Sequence, residues 1–250
     1  MFHWLFHFMP PKLLPSLPVL LLLPIPDMEQ TPDLPELLYI FDPLCGWCYG
    51  MSPVVERIQN EFAGRLTVSV LSGGMVTGEN VGPIRHDWDY ISGALAQVEK
   101  VAGVSFGPAF RALGAEGSYI QDSEPPCRAL TVFRQLDPYN QTASFAHALQ
   151  QAYFGEGKNL NDSATYEVLA ADFGLNVAEF SRRLALPETA HATRQEFAAV
   201  ARIGVQGFPT SILRVGNQGY LLARGFMPYE AFASSLEQAM QQAAEEHGNQ

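Results

Sequence analysis

Cysteine is scarce in this chain, which carries three in 250 residues: Cys45, Cys48 and Cys127. A secreted disulfide scaffold needs more of them in a shorter chain. A structural zinc site needs four ligands, and no second Cys-x-x-Cys or histidine pair with ligand spacing accompanies the first. Too few thiolates remain for an iron–sulfur cluster, so no metal and no cofactor is expected. Positive charge is also thin. Fifteen Lys and Arg stand against 26 Asp and Glu, the formal net charge is −11, and no basic run occurs, which argues against a nucleic-acid partner. No stretch of about 18 unbroken apolar residues exists either, so no membrane span is expected.

Residues 1–27, MFHWLFHFMPPKLLPSLPVLLLLPIPD, come nearest to such a stretch. Prolines 10, 11, 15, 18, 24 and 26 punctuate it, Lys12 is its only Lys or Arg, and no small-residue cleavage site follows. These features depart from a secretory signal. Met28 then opens an ordinary polar segment, MEQTPDLPE. The expectation is that Met28 is the natural start and residues 1–35 are a disordered or misassigned extension. The location is then cytoplasmic, or periplasmic if the first 27 residues are an export signal.

What the chain does have is YIFDPLCGWCYGMSP, residues 39–53, a Cys-x-x-Cys pair where an apolar run gives way to a helical pattern. Before it, ELLYIFD suits a buried strand. After it, Met51, Val54, Val55, Ile58 and Phe62 recur at helical spacing, which predicts an amphipathic helix over 46–63 ending at Gly64. RLTVSVL alternates, with Leu66, Val68 and Val70 on one side, and completes a strand–helix–strand unit with parallel strands. Residues 90–190 read as helices at 93–103, 125–136, 142–157, 163–175 and 177–186, with little strand signal. A further helix over 188–203, the loop GVQGFPT, a hairpin of TSILRV and YLLARG around Gly216–Gly219, and a last helix from Pro228 to about Glu245 complete the order.

A thiolate at a helix start is stabilised by unpaired N–H groups and the helix dipole. Cys45 is therefore expected to be the nucleophile, with a lowered pKa. Cys48, one turn deeper, is expected to resolve the mixed disulfide. Asp42 has two readings, a proton acceptor for Cys48 or a turn residue before Pro43. Cys127 has two as well, a small buried hydrophobe or a third thiol facing the pair. Trp47 is expected to pack over the mouth of the site as an apolar platform. His86, His147 and His191 are isolated and point to no ligand set.

The segments DPLCGWCYG (42–50) and GVQGFPT (204–210), with the helical block between them, resemble the DsbA-like thiol–disulfide oxidoreductases, and among these the FrnE-like branch. The resemblance covers residues 36–242. It implies an α/β architecture, a thioredoxin fold interrupted by an all-helical insertion, with the core in 36–89 and 188–245 and the insertion in 90–187. It gives Cys45 and Cys48 the redox roles. It also implies a cis proline at Pro209 that forms, with Phe208 and Thr210, the substrate-side loop. Two departures stand out. The dipeptide is Gly-Trp, lacking the histidine of strong oxidants, and Tyr39 stands where many members bury an acid.

The expected activity is protein-disulfide oxidoreductase or isomerase. Its substrates would be protein or small-molecule disulfides and dithiols, and glutathione or a thioredoxin-type protein would recycle it. The alternative is a glutathione-dependent transferase or isomerase of the kappa and 2-hydroxychromene-2-carboxylate isomerase type, which shares the split fold and uses a serine-type residue where Cys45 stands. A binding module with a passive disulfide is a third reading.

Overall fold

An unbroken apolar run needs cover on both faces, and ELLYIF has it. It forms strand β2 (Glu36–Phe41), buried throughout, in a computed structural model that describes residues 19–20 and 34–248. The expectations about Met28 and the residues before it lie outside the described residues, apart from Val19 and Leu20.

Strand β2 runs parallel to β3 (Thr67–Ser72) and antiparallel to β6 (Thr210–Val215), which pairs with β7 (Gln218–Arg224). Residues Val19–Leu20 (β1) lie antiparallel to β7, giving the sheet order β1-β7-β6-β2-β3. The strand period of two then sorts the core. Leu37, Tyr39 and Phe41 share one core with Val55 and Ile58 of α1 (Gly46–Glu61) and with Phe232 and Leu236 of α9 (Tyr229–Gly248). Leu38 and Ile40 pack with Ile212 and with Val200 of α8 (Pro187–Arg202) on the other face. Each fully buried aliphatic here contributes roughly 1.5–3 kcal/mol.

Between β3 and α8 lie α2 (Trp88–Ala102), α3 (Pro108–Glu116), α4 (Glu124–Leu136), α5 (Thr142–Gln150), α6 (Ser163–Asp172) and α7 (Val177–Leu184). The strand order and this helical block make the molecule an interrupted thioredoxin fold. One short strand interrupts the helices: β5 (Ile120–Gln121), between α3 and α4, pairs antiparallel with β4 (Gly82–Pro83), which precedes α2. TASFAHALQQAYFGEG is not one regular helix. After α5 the chain widens into a π turn at Gln151–Gly155. The extra residue per turn lets the consecutive rings of Tyr153 and Phe154 both point inward, where they are 0% and 2% exposed. Gly107 is required opposite this turn, because a Cβ there would lie 1.8 Å from the Gly155 carbonyl oxygen.

The exposed edge of β3 is closed by side chains. Arg134 Nη1 of α4 donates to the Val70 carbonyl (2.8 Å), and Ser72 N donates to Glu196 Oε1 of α8 (2.7 Å). Arg134 and Glu196 pair with each other at 2.5 Å. An unpaired edge is thus blunted by an ion pair from two helices. Among the described residues no helix is long and apolar enough to cross a membrane.

Candidate active site

The turn Asp42-Pro43-Leu44 delivers Cys45 to the start of α1. Cys45 N donates to the Asp42 carbonyl (3.1 Å), and Tyr49 N donates to the Cys45 carbonyl (3.0 Å), the first helical bond. Cys45 is the N-cap residue in extended conformation, and no side chain caps this helix start. The first-turn N–H groups of α1 are therefore left without a side-chain acceptor. The Cys45 thiol donates to the carbonyl oxygen of Phe208 at 3.5 Å, and the Phe208–Pro209 bond is cis. All three cysteines are free thiols.

Three glycines shape this meeting point. The Phe208 ring lies on Gly73, where a Cβ would come within 1.9 Å of it. Gly73 N donates to the Phe41 carbonyl (2.8 Å), tying that spot to the end of β2, and Gly225 N donates to the Pro209 carbonyl (2.7 Å). A Cβ at Gly46 would stand 3.3 Å from the Phe106 ring of the insertion. Thr210 is buried, and its hydroxyl donates to the Gly207 carbonyl (2.8 Å), closing the loop.

Cys48 is 0% exposed against 7% for Cys45. Burial first, and then the adjacent Cys45, push its thiol well above the ordinary range. Its carbonyl accepts from the Tyr39 hydroxyl at 3.1 Å. Tyr39 thus fills the place of an acid with a neutral donor. Ser52 Oγ lies 3.1 Å from the same carbonyl and 2.6 Å from Gln150 Oε1. Gln150, itself buried, donates through Nε2 to the Asp42 carbonyl (3.3 Å).

Asp42 is fully buried beside this pair. Leu44 N donates to its Oδ1 (2.9 Å), closing the turn, and Met75 N donates to Oδ2 (2.7 Å). The Ser123 hydroxyl donates to Oδ1 (3.0 Å). Burial still outweighs these three donors and raises the carboxyl to about 6. Cys127, also 0% exposed, sits on α4 with Ser72 and Asp42 as neighbours; burial, then the Asp42 charge, raise its thiol.

Trp47 is half-buried and its ring lies 6.3 Å from that of Phe226. Tyr90, 61% exposed, comes close enough to Cys45 that the thiolate, after burial, raises its hydroxyl. Phe226, Tyr90, Met75 and Ser123 went unnoticed as site residues in the sequence. A serine before the Pro-Pro helix start was visible, but its partner lies 81 residues away. His147 is not isolated: its Nδ1 is 2.7 Å from Glu56 Oε2. Among the described residues no group of three His, Cys, Asp or Glu could hold a metal.

The geometry agrees with what the chain is similar to. A candidate protein disulfide isomerase from Nitrosomonas europaea is 29% identical, with a TM-score of 0.76 over 84% of this chain and 99% of that one. The cytosolic disulfide reductase DsbM from Pseudomonas aeruginosa is 25% identical, with a TM-score of 0.68 over 83% and 99%. The ClpXP adapter protein SpxH of Bacillus subtilis is 23% identical over 72% of this chain, and the match spans 58% of SpxH's length. The family model for the DSBA-like thioredoxin domain matches residues 37–237, and the chain belongs to this family of thiol–disulfide oxidoreductases.

Proposed function

We propose that the protein catalyses thiol–disulfide exchange on protein disulfides in the reducing or isomerising direction, in the reducing environment of the cytoplasm. The observation that carries this reading is the Cys45 thiol hydrogen-bonded to the carbonyl before a cis proline, with a second thiol shielded behind it. The Cys45 thiolate attacks one sulfur of a substrate disulfide, forming a mixed disulfide and releasing the other sulfur as a thiolate. Cys48 then attacks Cys45 Sγ, its proton passing to Asp42, and releases the second substrate thiolate. The substrate gains two electrons and the Cys45–Cys48 pair loses them. Glutathione, as two thiols, or a thioredoxin-type dithiol returns the pair to the reduced state. Trp47, Phe208, Pro209 and Thr210 line the substrate side, where an extended chain can bond the Phe208 backbone.

The direction is supported by the Gly-Trp dipeptide. Without a histidine beside Cys45 the reduced thiolate lacks one stabilising partner, and a less stabilised reduced form makes a stronger reductant. The likeness to DsbM, a cytosolic disulfide reductase, points the same way. A second cysteine has no task in activating glutathione for the transferase-type reaction.

In the test, a Cys48→Ser variant mixed with a disulfide peptide accumulates a mixed disulfide at Cys45, identified by mass spectrometry, and Cys45→Ser forms none. Redox titration of the wild type against glutathione buffers then gives a potential near that of thioredoxin, about −270 mV, rather than about −120 mV. A value at the oxidising end reverses the direction. Absence of any redox couple hands the site to the glutathione-dependent transferase or isomerase reading.

A further inference from the structure

Ser123 opens α4 in the helical insertion, yet its side chain ends at the acid of the core site. Its hydroxyl donates to Asp42 Oδ1 (3.0 Å), accepts from Val76 N (3.0 Å), and its own N–H donates to the Val76 carbonyl (2.8 Å). The residue is 0% exposed, so no water competes freely for these bonds.

We propose that Ser123 is a positioning residue of the exchange reaction, the one partner of Asp42 that serves both the charged and the protonated carboxyl. The argument rests on donor and acceptor counts. A carboxylate accepts and cannot donate; a carboxylic acid must also donate once. Two of the three groups on Asp42, the N–H of Leu44 and the N–H of Met75, can never accept. A serine hydroxyl can do either by rotation, since it has one proton and two lone pairs. With one lone pair held by Val76 N, the other is left for an O–H of Asp42 once the acid has taken the Cys48 proton. In the charged state the same hydroxyl points its proton at Oδ1. The ionisable groups around the carboxyl are Cys48 of α1, Asp122 in the turn before α4, and Cys127 of α4. Each is negative when ionised, so these neighbours repel the Asp42 charge and the neutral donors must hold it. The insertion therefore does more than cover the core: it supplies part of the proton acceptor's setting.

The inference rests on the proposed exchange reaction with Asp42 as acceptor, and the test separates the two. Full-length protein is mixed with 5,5′-dithiobis(2-nitrobenzoate) in a single turnover. Attack by Cys45 releases the first coloured thiolate, and attack by Cys48 releases the second. The pH midpoint of the second phase is compared among wild type, Ser123→Ala, Ser123→Cys and Ser123→Thr, with near-ultraviolet circular dichroism verifying the fold.

Ser123→Ala loses a bond in both states, but the bond to the charged carboxyl is the stronger, and the difference moves the midpoint up by about one pH unit. Ser123→Cys, a weaker donor of similar size, moves it up by less, and Ser123→Thr restores the wild-type value. A merely structural serine would lower the melting temperature and leave the midpoint in place. Unchanged midpoints in folded Ser123→Ala or Ser123→Cys overturn the inference. An Asp42→Asn variant with the wild-type profile instead overturns the role of Asp42 itself.

Discussion

At Asp42 two physical effects of opposite sign meet, and their sizes decide the outcome. Three hydrogen bonds to a carboxylate, each worth roughly 1.5–3 kcal/mol, favour the charged form. Full burial disfavours it and wins, leaving the carboxyl raised to about 6. The consequence for stability follows from linkage. Between the ordinary value of 3.8 and about 6 the folded protein holds a proton that the unfolded chain has released. Stability from this group is therefore present below pH 4 and lost as pH rises toward 6, by about 3 kcal/mol in all. Urea unfolding of wild type and Asp42→Asn across this range should show the wild type falling relative to the variant as pH rises. A difference that stays flat, or grows in the wild type's favour, contradicts the raised value. The residues of the site were legible in unequal degree. Cys45 and Cys48 stand out by their spacing at a strand end and helix start. Asp42 keeps a turn reading beside that of proton acceptor, and Pro209 comes from the family resemblance rather than from its own surroundings. Ser123, Tyr90 and Phe226 carry no such signature; they reach the site only because the insertion and the β7–α9 turn fold back onto α1.

The elements were legible where packing follows one period. The alternation in RLTVSVL and the 3.6-residue spacing in α8 and the second half of α1 survive intact, because each has one face to bury, whereas α4 is buried almost all round from Pro126 to Phe133. The helix α3 was missed: it is nine residues long between Gly107 and Gly117, too short for a period to show. The π turn was missed because what it packs against lies far off in the chain: Gly107 N donates to the Phe154 carbonyl (2.8 Å). Equally hidden was the closure of β3 by Arg134 and Glu196, which no pattern in either helix foretells. That closure is testable as an element. Arg134→Ala leaves the Val70 carbonyl without its side-chain donor and the Glu196 carboxylate with the Ser72 N–H in place of its counter-charge, and should cost about 2–3 kcal/mol in urea unfolding. Adding Glu196→Gln should cost much less in the Arg134→Ala background than in wild type, since the pair acts as a unit. Simple additivity would mean that the two side chains cap the strand independently. The exchange rate at Cys45 should survive both changes, because neither residue bonds to the site.

On the scale of the whole molecule, the 26 acidic against 15 basic residues give every approaching substrate the same first encounter, with a net charge of −11. A field of this kind acts on association rates rather than on the chemistry, and salt shortens its reach from about 30 Å at 0.01 M to about 8 Å at 0.15 M. Two small disulfides separate this effect from recognition at Cys45. Oxidised glutathione has two more carboxylates than ammonium groups and is repelled, whereas cystamine has two ammonium groups and is attracted. Raising the ionic strength over that range should therefore increase kcat/KM for oxidised glutathione and decrease it for cystamine, each by roughly two- to fivefold. The two slopes must have opposite sign, since the same field acts on opposite charges. If both substrates respond in the same direction, salt is acting on the site or on the fold. If neither responds, the groups at the site itself, Trp47 with Phe226 against it and Tyr90 near Cys45, set the encounter without help from the surface charge.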